Sequence, residues 1–179
     1  MYYIATSDTL LNYSDTKYDE HCKKADFISA TEYEENTKKA IVQNSILIPN
    51  PDWSEIELQE AKQNKYFEAL EGAKYYIDSV AVYQFDENNS IEATDGNIGK
   101  MTAYALAFQT GTVEVVYWTS KEDNVLELNA NDVLNILTGL GEAQAVVWNV
   151  KFVTYKNAIN EAQTVEEVNA IVIDYSEEI

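Results

Sequence analysis

The chain has 179 residues, of which 46% are hydrophobic, enough to bury the core of one domain or of one domain with a small additional module. Its 12 basic residues are all lysine and face 31 acidic ones, so the formal net charge is −19. This charge repels nucleic-acid phosphates and anionic membrane surfaces, and we expect neither nucleic acid nor membrane as a partner.

Targeting and redox features are sparse along the chain. Cys22 is the single cysteine, which excludes an intrachain disulfide and a cysteine metal cluster. No stretch reaches the roughly 18 apolar residues that a membrane helix needs. The first ten residues lack the basic start and apolar run of a signal peptide, so we expect synthesis in a cytoplasm.

Residues 1–48 are predicted to form a small α/β module. Ser29 and Glu32 have the spacing of a capping box, in which each side chain binds a free amide at the start of a helix. Pro49 and Pro51 are the only prolines and mark the predicted domain boundary. The predicted elements of this module are strands at 2–5, 26–28 and 46–48 and a helix at 29–42.

Residues 49–78 are predicted to be a proline-containing linker followed by an amphipathic helix at 54–77. Ser54 and Glu57 repeat the capping-box spacing at its start. The helix carries many charges, so we expect its polar side to face water.

Residues 79–179 are predicted to form an α+β domain with a long helical region near its end. Its small antiparallel sheet is built from 79–85, 113–119 and 125–128 and packs against helices at 95–109 and 130–162. Gly139 and Gly141 are expected to interrupt the second of these helices with a kink or a tight turn. A short return strand at 91–93 and a last helix at 165–170, opened by Thr164 and Glu167, complete the prediction.

The stretch from Asn129 to Ala162 is the most informative part of the chain because it contains so few charges. A helix without a charged stripe cannot turn one whole side to water, so we expect it to be covered on more than one side. We predict that part of this cover comes from another subunit. Its five charged residues are Asp132, Glu142, Lys151, Lys156 and Glu161; the predicted interface consists of Val146, Val147, Trp148, Val150, Phe152, Val153, Tyr155 and Ile159.

The sequence contains no complete metal or catalytic motif. Asp86 opens a stretch with polar residues at alternate positions, as in a calcium loop, but Ile91 replaces the glycine of the sharp turn and Asn97 the bidentate glutamate. We interpret that stretch as a turn and a helix start. His21 and Cys22 are adjacent and have no second histidine, so an exposed loop is the favoured interpretation.

No phosphate loop is present either, because Gly96 and Gly99 lack the spacing and the preceding buried strand that such a loop requires. Carboxylates are numerous but dispersed, which is typical of solvated helix faces. We therefore predict no catalytic residues, no cofactor and no metal, and we do not expect an enzyme.

Residues 79–173 show a recognisable succession of motifs: the strand VAVYQFD, a helix ending in glycine, the strand EVVYW, the step LELNANDVLNIL and the helix YKNAINEAQTVEEVNAI. This succession resembles a family of unknown function found in bacteriophage tail-fibre and tail-associated proteins. The resemblance implies a non-enzymatic structural role, with other virion or tail proteins and copies of itself as partners. It implies a place in the virion after synthesis in the bacterial cytoplasm, and it supplies no catalytic residues.

A second hypothesis follows from the charge of −19. A small acidic phage-like chain could be an intracellular inhibitor that mimics nucleic acid or blocks a basic host-defence protein. The dispersed acids and the nearly uncharged long helix favour the structural role over this alternative.

Overall fold

The computed structural model of the protein describes residues 1–176. The chain divides into two compact units, Met1–Glu60 and Ala61–Ile179. The fold is mixed α+β with several small antiparallel sheets, which confirms the predicted class.

The first unit consists of two small antiparallel sheets and a short helix. In order, its elements are β1 (Tyr2–Thr6), β2 (Thr9–Ser14), β3 (Lys23–Lys24), α1 (Ala30–Glu35), a 3-10 turn (Thr37–Lys39), β4 (Ala40–Gln43) and β5 (Ile46–Pro49). One sheet has the order β2-β1-β3, and the other pairs β4 with β5. Tyr3 and Leu47 lie in the core of this unit, where the Leu47 amide donates to the Tyr3 hydroxyl oxygen at 2.9 Å.

Helix α1 is much shorter than the predicted helix at 29–42. The predicted capping box is present, because the Ser29 and Glu32 side chains each accept the other's backbone amide. Asn36 then ends the helix in an extended conformation, and its side chain accepts from the Lys38 amide to start the 3-10 turn. The residues after it pair as strand β4, as their β-branched side chains favour.

The third strand of the first sheet also differs from the prediction. Lys23 and Lys24 pair with β1, and residues 26–28 do not form the expected strand. The Ala25 amide donates to the Met1 carbonyl at 2.8 Å, after which the chain leaves the sheet toward α1. The strand predicted at 46–48 is present as β5.

Helix α2 spans Trp53–Ser79, and the division between the two units falls within it. Asn50 organises its start: the Asn50 carbonyl accepts from the Trp53 amide, and its side chain accepts from the Asp52 amide. The helix therefore begins one residue before Ser54, which lies inside the first turn and not at the predicted N-cap.

The second unit continues from α2 through two hairpins and a series of helices. Its elements are β6 (Val82–Asp86), β7 (Asn89–Glu92), α3 (Asp95–Gln109), β8 (Val116–Thr119), β9 (Val125–Leu128), α4 (Ala130–Ala145), a π-helix (Val146–Phe152), α5 (Val153–Glu161) and α6 (Val165–Ala170). Its main core lies between α3, α4 and the hairpins and includes Met101, Leu128, Ile136 and Leu140, all fully buried.

The strands of this unit form two separate sheets, β6–β7 and β8–β9, and not the single sheet expected from 79–85, 113–119 and 125–128. The two hairpins are joined by hydrogen bonds around Ser90 and not by a continuous backbone ladder. The Ser90 amide and hydroxyl donate to the Glu122 carboxylate at 2.8 and 2.5 Å, and the Lys121 amide donates to the Ser90 carbonyl. These Ser90 hydrogen bonds lower the pKa of the Glu122 carboxyl from 4.5 to about 2.

The long helical region runs without a break from Ala130 to Glu161, because α4, the π-helix and α5 are contiguous. We call these residues the rod. The predicted kink at Gly139 and Gly141 is wrong. Gly139 instead lets the ring of Tyr83 lie against the helix backbone, since a Cβ at position 139 would stand 2.0 Å from Tyr83 Cδ2. The irregularity lies further along, in the seven-residue π-helix.

Candidate interaction surface

One side of the rod packs against its own chain. Val147 and Ile159 are 1% and 2% exposed, and Trp148, Phe152 and Tyr155 are half-buried. The Phe152 ring makes edge-to-face contacts with Trp148 and with Tyr66 of α2, each at 5.5 Å between centroids. Burying large apolar side chains of this kind contributes on the order of 1.5–3 kcal/mol each. Five of the eight residues of the predicted interface therefore lie wholly or partly inside the chain's own core.

The π-helix contributes two buried residues to the inner side of the rod. Val147 and Lys151 are four positions apart, a spacing that keeps side chains on one side of a helix, and both are buried. Lys151 is one of the five charged residues counted in the rod, yet it is only 7% exposed. Its Nζ donates to the Tyr175 carbonyl at 2.6 Å and lies 5.4 Å from the centre of the Tyr76 ring.

The opposite side of the rod carries the other three residues of the predicted interface. Val146, Val150 and Val153 are 48%, 45% and 41% exposed and follow each other at helical spacing. We call these three residues the valine ridge. Of the predicted interface, only the three residues of this ridge are exposed. They lie on the side of the rod away from Trp148, Phe152 and Tyr155.

The surface around the valine ridge is nearly uncharged. Among the exposed residues from 130 to 157, Glu142 and Lys156 are the two charged ones, and their charges cancel. Leu134 of α4 is a further exposed apolar side chain of the rod, at 52%. A chain with a net charge of −19 therefore presents a neutral, partly apolar strip along its longest helical element.

A second uncharged surface is an apolar groove between α3 and α4. Its volume is about 490 Å³, and the large apolar side chains exposed in its walls are Leu106 and Leu134. None of its lining residues is charged; they are Thr102, Ala105, Leu106, Phe108, Gln109, Ala130 and Leu134. The groove shares Leu134 with the rod and adds to the uncharged surface of this unit.

The residues considered for metal or catalytic chemistry do not converge. His21 is exposed and contacts Asp19 at 3.0 Å, and Cys22 is a half-buried free thiol. Asp86 accepts from the Asn88 amide, which closes the turn and lowers the pKa of its carboxyl, as expected for a turn. Within residues 1–176, no three His, Cys, Asp or Glu side chains lie together as metal ligands. Across that same range no helix has the length and apolarity to cross a bilayer.

Three features of the site were missed by reasoning from the sequence: the inward orientation of Lys151, the role of Gly139, and the segment that contains Tyr175. Each depends on a partner distant in the sequence, and none has a local pattern that could have revealed it. No protein family matches the chain, and neither a curated protein nor a solved structure is significantly similar to it.

Proposed function

We propose that the chain is a non-enzymatic bacteriophage structural protein, associated with the tail, the tail fibre or another part of the virion, that acts by binding virion proteins and copies of itself. The observation that carries the proposal is the uncharged valine ridge, with the α3–α4 groove as a second uncharged surface, in a chain of net charge −19. The motif succession of residues 79–173 supports the assignment to a phage tail.

The physical argument is the hydrophobic effect. Covering Val146, Val150 and Val153, each between 41% and 48% exposed, would contribute on the order of 1 kcal/mol per side chain. The absence of net charge on this strip lets two copies approach there with little repulsion, whereas the remaining surface carries the excess of carboxylates. Long-range repulsion elsewhere keeps the free protein soluble, so association is directed to the neutral strip.

The acidic-inhibitor alternative requires a different surface. A nucleic-acid mimic presents carboxylates on the face that binds its basic partner, and the rod offers one exposed acid, Glu142, between residues 130 and 157. The valine ridge would then have no role. The structural function uses that surface directly.

Mass spectrometry of purified phage particles tests the proposal. The chain should be present in the particles in a fixed ratio to a known tail protein. A tagged chain expressed during infection should capture virion proteins, and Val150→Glu, which places a charge on the valine ridge, should weaken that capture. The matched control is Gln63→Glu, which makes the same change in charge on an exposed position of α2. Absence from particles, with capture of a host nuclease or DNA-binding protein, would establish the inhibitor instead.

A further inference from the structure

An extended segment of the chain, residues 171–176, lies in a groove of the second unit. We call this segment the strap and its seat the docking groove. The floor of the groove is α2, where Ala69 and Ala73 are fully buried and Gly72 lies between them. A Cβ at Gly72 would stand 3.1 Å from Tyr175 Cε2 and 3.5 Å from Ile173 Cγ2. The strap thus sits against bare backbone. A Cβ at position 72 would make the Tyr175 ring shift by a few tenths of an ångström, and a larger side chain there would occupy the seat of the strap.

The groove holds the strap by hydrogen bonds from side chains to main chain. Lys151 Nζ donates to the Tyr175 carbonyl at 2.6 Å, and the Tyr155 hydroxyl donates to the Asp174 carbonyl at 2.6 Å. The same hydroxyl oxygen accepts from the Asp174 amide at 3.1 Å. The Tyr175 hydroxyl in turn donates to the Ala69 carbonyl at 2.8 Å. This pattern recognises two features, an extended backbone and one tyrosine.

Ring contacts add to the specificity for tyrosine. The Tyr175 ring packs edge-to-face on Tyr155 at 5.3 Å between centroids and lies 6.2 Å from the Tyr76 ring. Tyr175 is 5% exposed, so the groove encloses nearly the whole side chain. Buried aromatic pairs of this geometry contribute about 0.5–1.5 kcal/mol beyond the burial of their area. The docking groove therefore has the properties of a peptide-binding site that recognises a tyrosine.

The strap itself depends little on its neighbours in the sequence. It contains no helix or strand, its Val172 side chain is 78% exposed, and its hydrogen-bond partner Ala69 lies 106 positions away. An open cleft of about 270 Å³ lies beside it, walled in part by the exposed Tyr75 and Val80 of the α2 end. The groove is thus accessible from solvent, and the strap can leave it without any helix unfolding.

We propose that the docking groove also accepts the strap of a second copy of the chain, so that copies are joined by exchange of residues 171–176. The groove fits this sequence within one chain, and an exchanged strap makes the same contacts in its new seat, so exchange is opposed by the entropy of association and by the charge repulsion between copies. High local concentration in a growing assembly overcomes that cost. The proposal rests on the proposed assembly function and names a contact for it that is separate from the valine ridge.

Two variants with complementary defects test the exchange. Gly72→Leu blocks the groove and leaves the strap intact, and Tyr175→Ala disables the strap and leaves the groove open. Both carry Val150→Glu to remove association through the valine ridge. One of the two variants carries a tag, and the two full chains are mixed. The amount of untagged variant captured with the tagged one should rise from background to about one molecule per tagged chain. Each variant mixed with itself should stay at background, and adding Lys151→Met to the Tyr175→Ala chain should weaken the capture.

A synthetic peptide of residues 170–176 gives an independent measurement. It should raise the Tm of the Tyr175→Ala chain in a saturable manner, because a ligand that binds only the folded state stabilises it. The chain that also carries Gly72→Leu should show no shift. If Tyr175→Ala does not fold, as judged by circular dichroism, Tyr175→Phe replaces it in both experiments, since it keeps the ring and loses the hydroxyl bond to Ala69.

No capture between folded variants, together with no shift by the peptide, would overturn the exchange. That result is distinguishable from failure of the proposed function, because the particle proteome and the Val150→Glu capture experiment do not depend on the strap. If the straps are exchanged but the chain is absent from purified phage particles, the exchange stands and the proposed virion role is refuted.

Discussion

Replacing Gly139 with alanine should destabilise the second unit, although alanine is the better helix former. Gly139 lies in the interior of α4, and in an exposed helix the change from glycine to alanine stabilises by about 1 kcal/mol. At this position, however, the new Cβ would stand 2.0, 2.2 and 2.8 Å from Cδ2, Cε2 and Cγ of Tyr83. These distances are far below van der Waals contact, so the Tyr83 ring has to move.

The magnitude follows from what Tyr83 does in β6. It pairs with Ile91 across the hairpin and packs against the main core, so its ring cannot shift without disturbing both. Overpacking a close-packed core in this way costs about 1–3 kcal/mol, and more where a ring is expelled. After subtraction of the gain in helix propensity, about 1 kcal/mol, Gly139→Ala should lower the free energy of unfolding by up to about 2 kcal/mol.

Gly141 is the matched control, because it lies in the same helix and a Cβ there meets nothing within 4 Å. Gly141→Ala should therefore raise the free energy of unfolding, by up to about 1 kcal/mol. Urea unfolding followed by far-UV circular dichroism measures both variants against wild type. If Gly139→Ala and Gly141→Ala stabilised the protein equally, the Tyr83 ring would not lie against the backbone of α4, and the predicted clash would be wrong.

Two further predictions concern titrating groups. Because the pKa of the Glu122 carboxyl is lowered from 4.5 to about 2, the ionised carboxylate stabilises the fold above pH 4.5, and this stabilisation is lost as the pH falls toward 2. The difference in the free energy of unfolding between wild type and Glu122→Gln should therefore shrink over that interval. A difference that is independent of pH would contradict the Ser90 hydrogen bonds. Because burial raises the pKa of Tyr175 from 10.0 to about 12, wild type should lose stability from pH 10 to 12 more steeply than Tyr175→Phe. At neutral pH the Tyr175→Phe variant should be about 0.5–1.5 kcal/mol less stable than wild type, because it lacks the hydrogen bond to the Ala69 carbonyl. Parallel alkaline curves would contradict the burial of this hydroxyl.

Elements with a complete local signal could be predicted closely from the sequence. Helix α3, strand β9 and helix α6 have the predicted bounds, because capping residues such as Asn129 and Thr164 and the positive φ of Gly111 are set by nearby backbone. The α+β class follows from the succession of such elements. Local patterns were not always sufficient, since the capping-box spacing at Ser54 did not mark the start of α2 and Asn36 ended α1 early.

Features that depend on distant partners could not be predicted. A glycine in a helix favours a kink when only its neighbours are known, and the contact of Gly139 with Tyr83 reverses that interpretation. The sequence of Lys151 and its neighbours does not reveal a π-helix, so the inward position of the lysine was unexpected. The two hairpins have clear strand patterns, but no periodicity shows that they form two separate sheets or that Glu122 and Ser90 link them.

We propose that copies of the chain associate through the neutral strip of the rod. Light scattering coupled to size-exclusion chromatography measures this association. Wild type should elute as an oligomer with a mass above the 20.3 kDa of one chain, and Val150→Glu should shift the population toward that single-chain mass while Gln63→Glu does not. A wild-type protein that stays at the mass of one chain at the highest attainable concentration, or an oligomer unaffected by charge at Val150, would contradict the account.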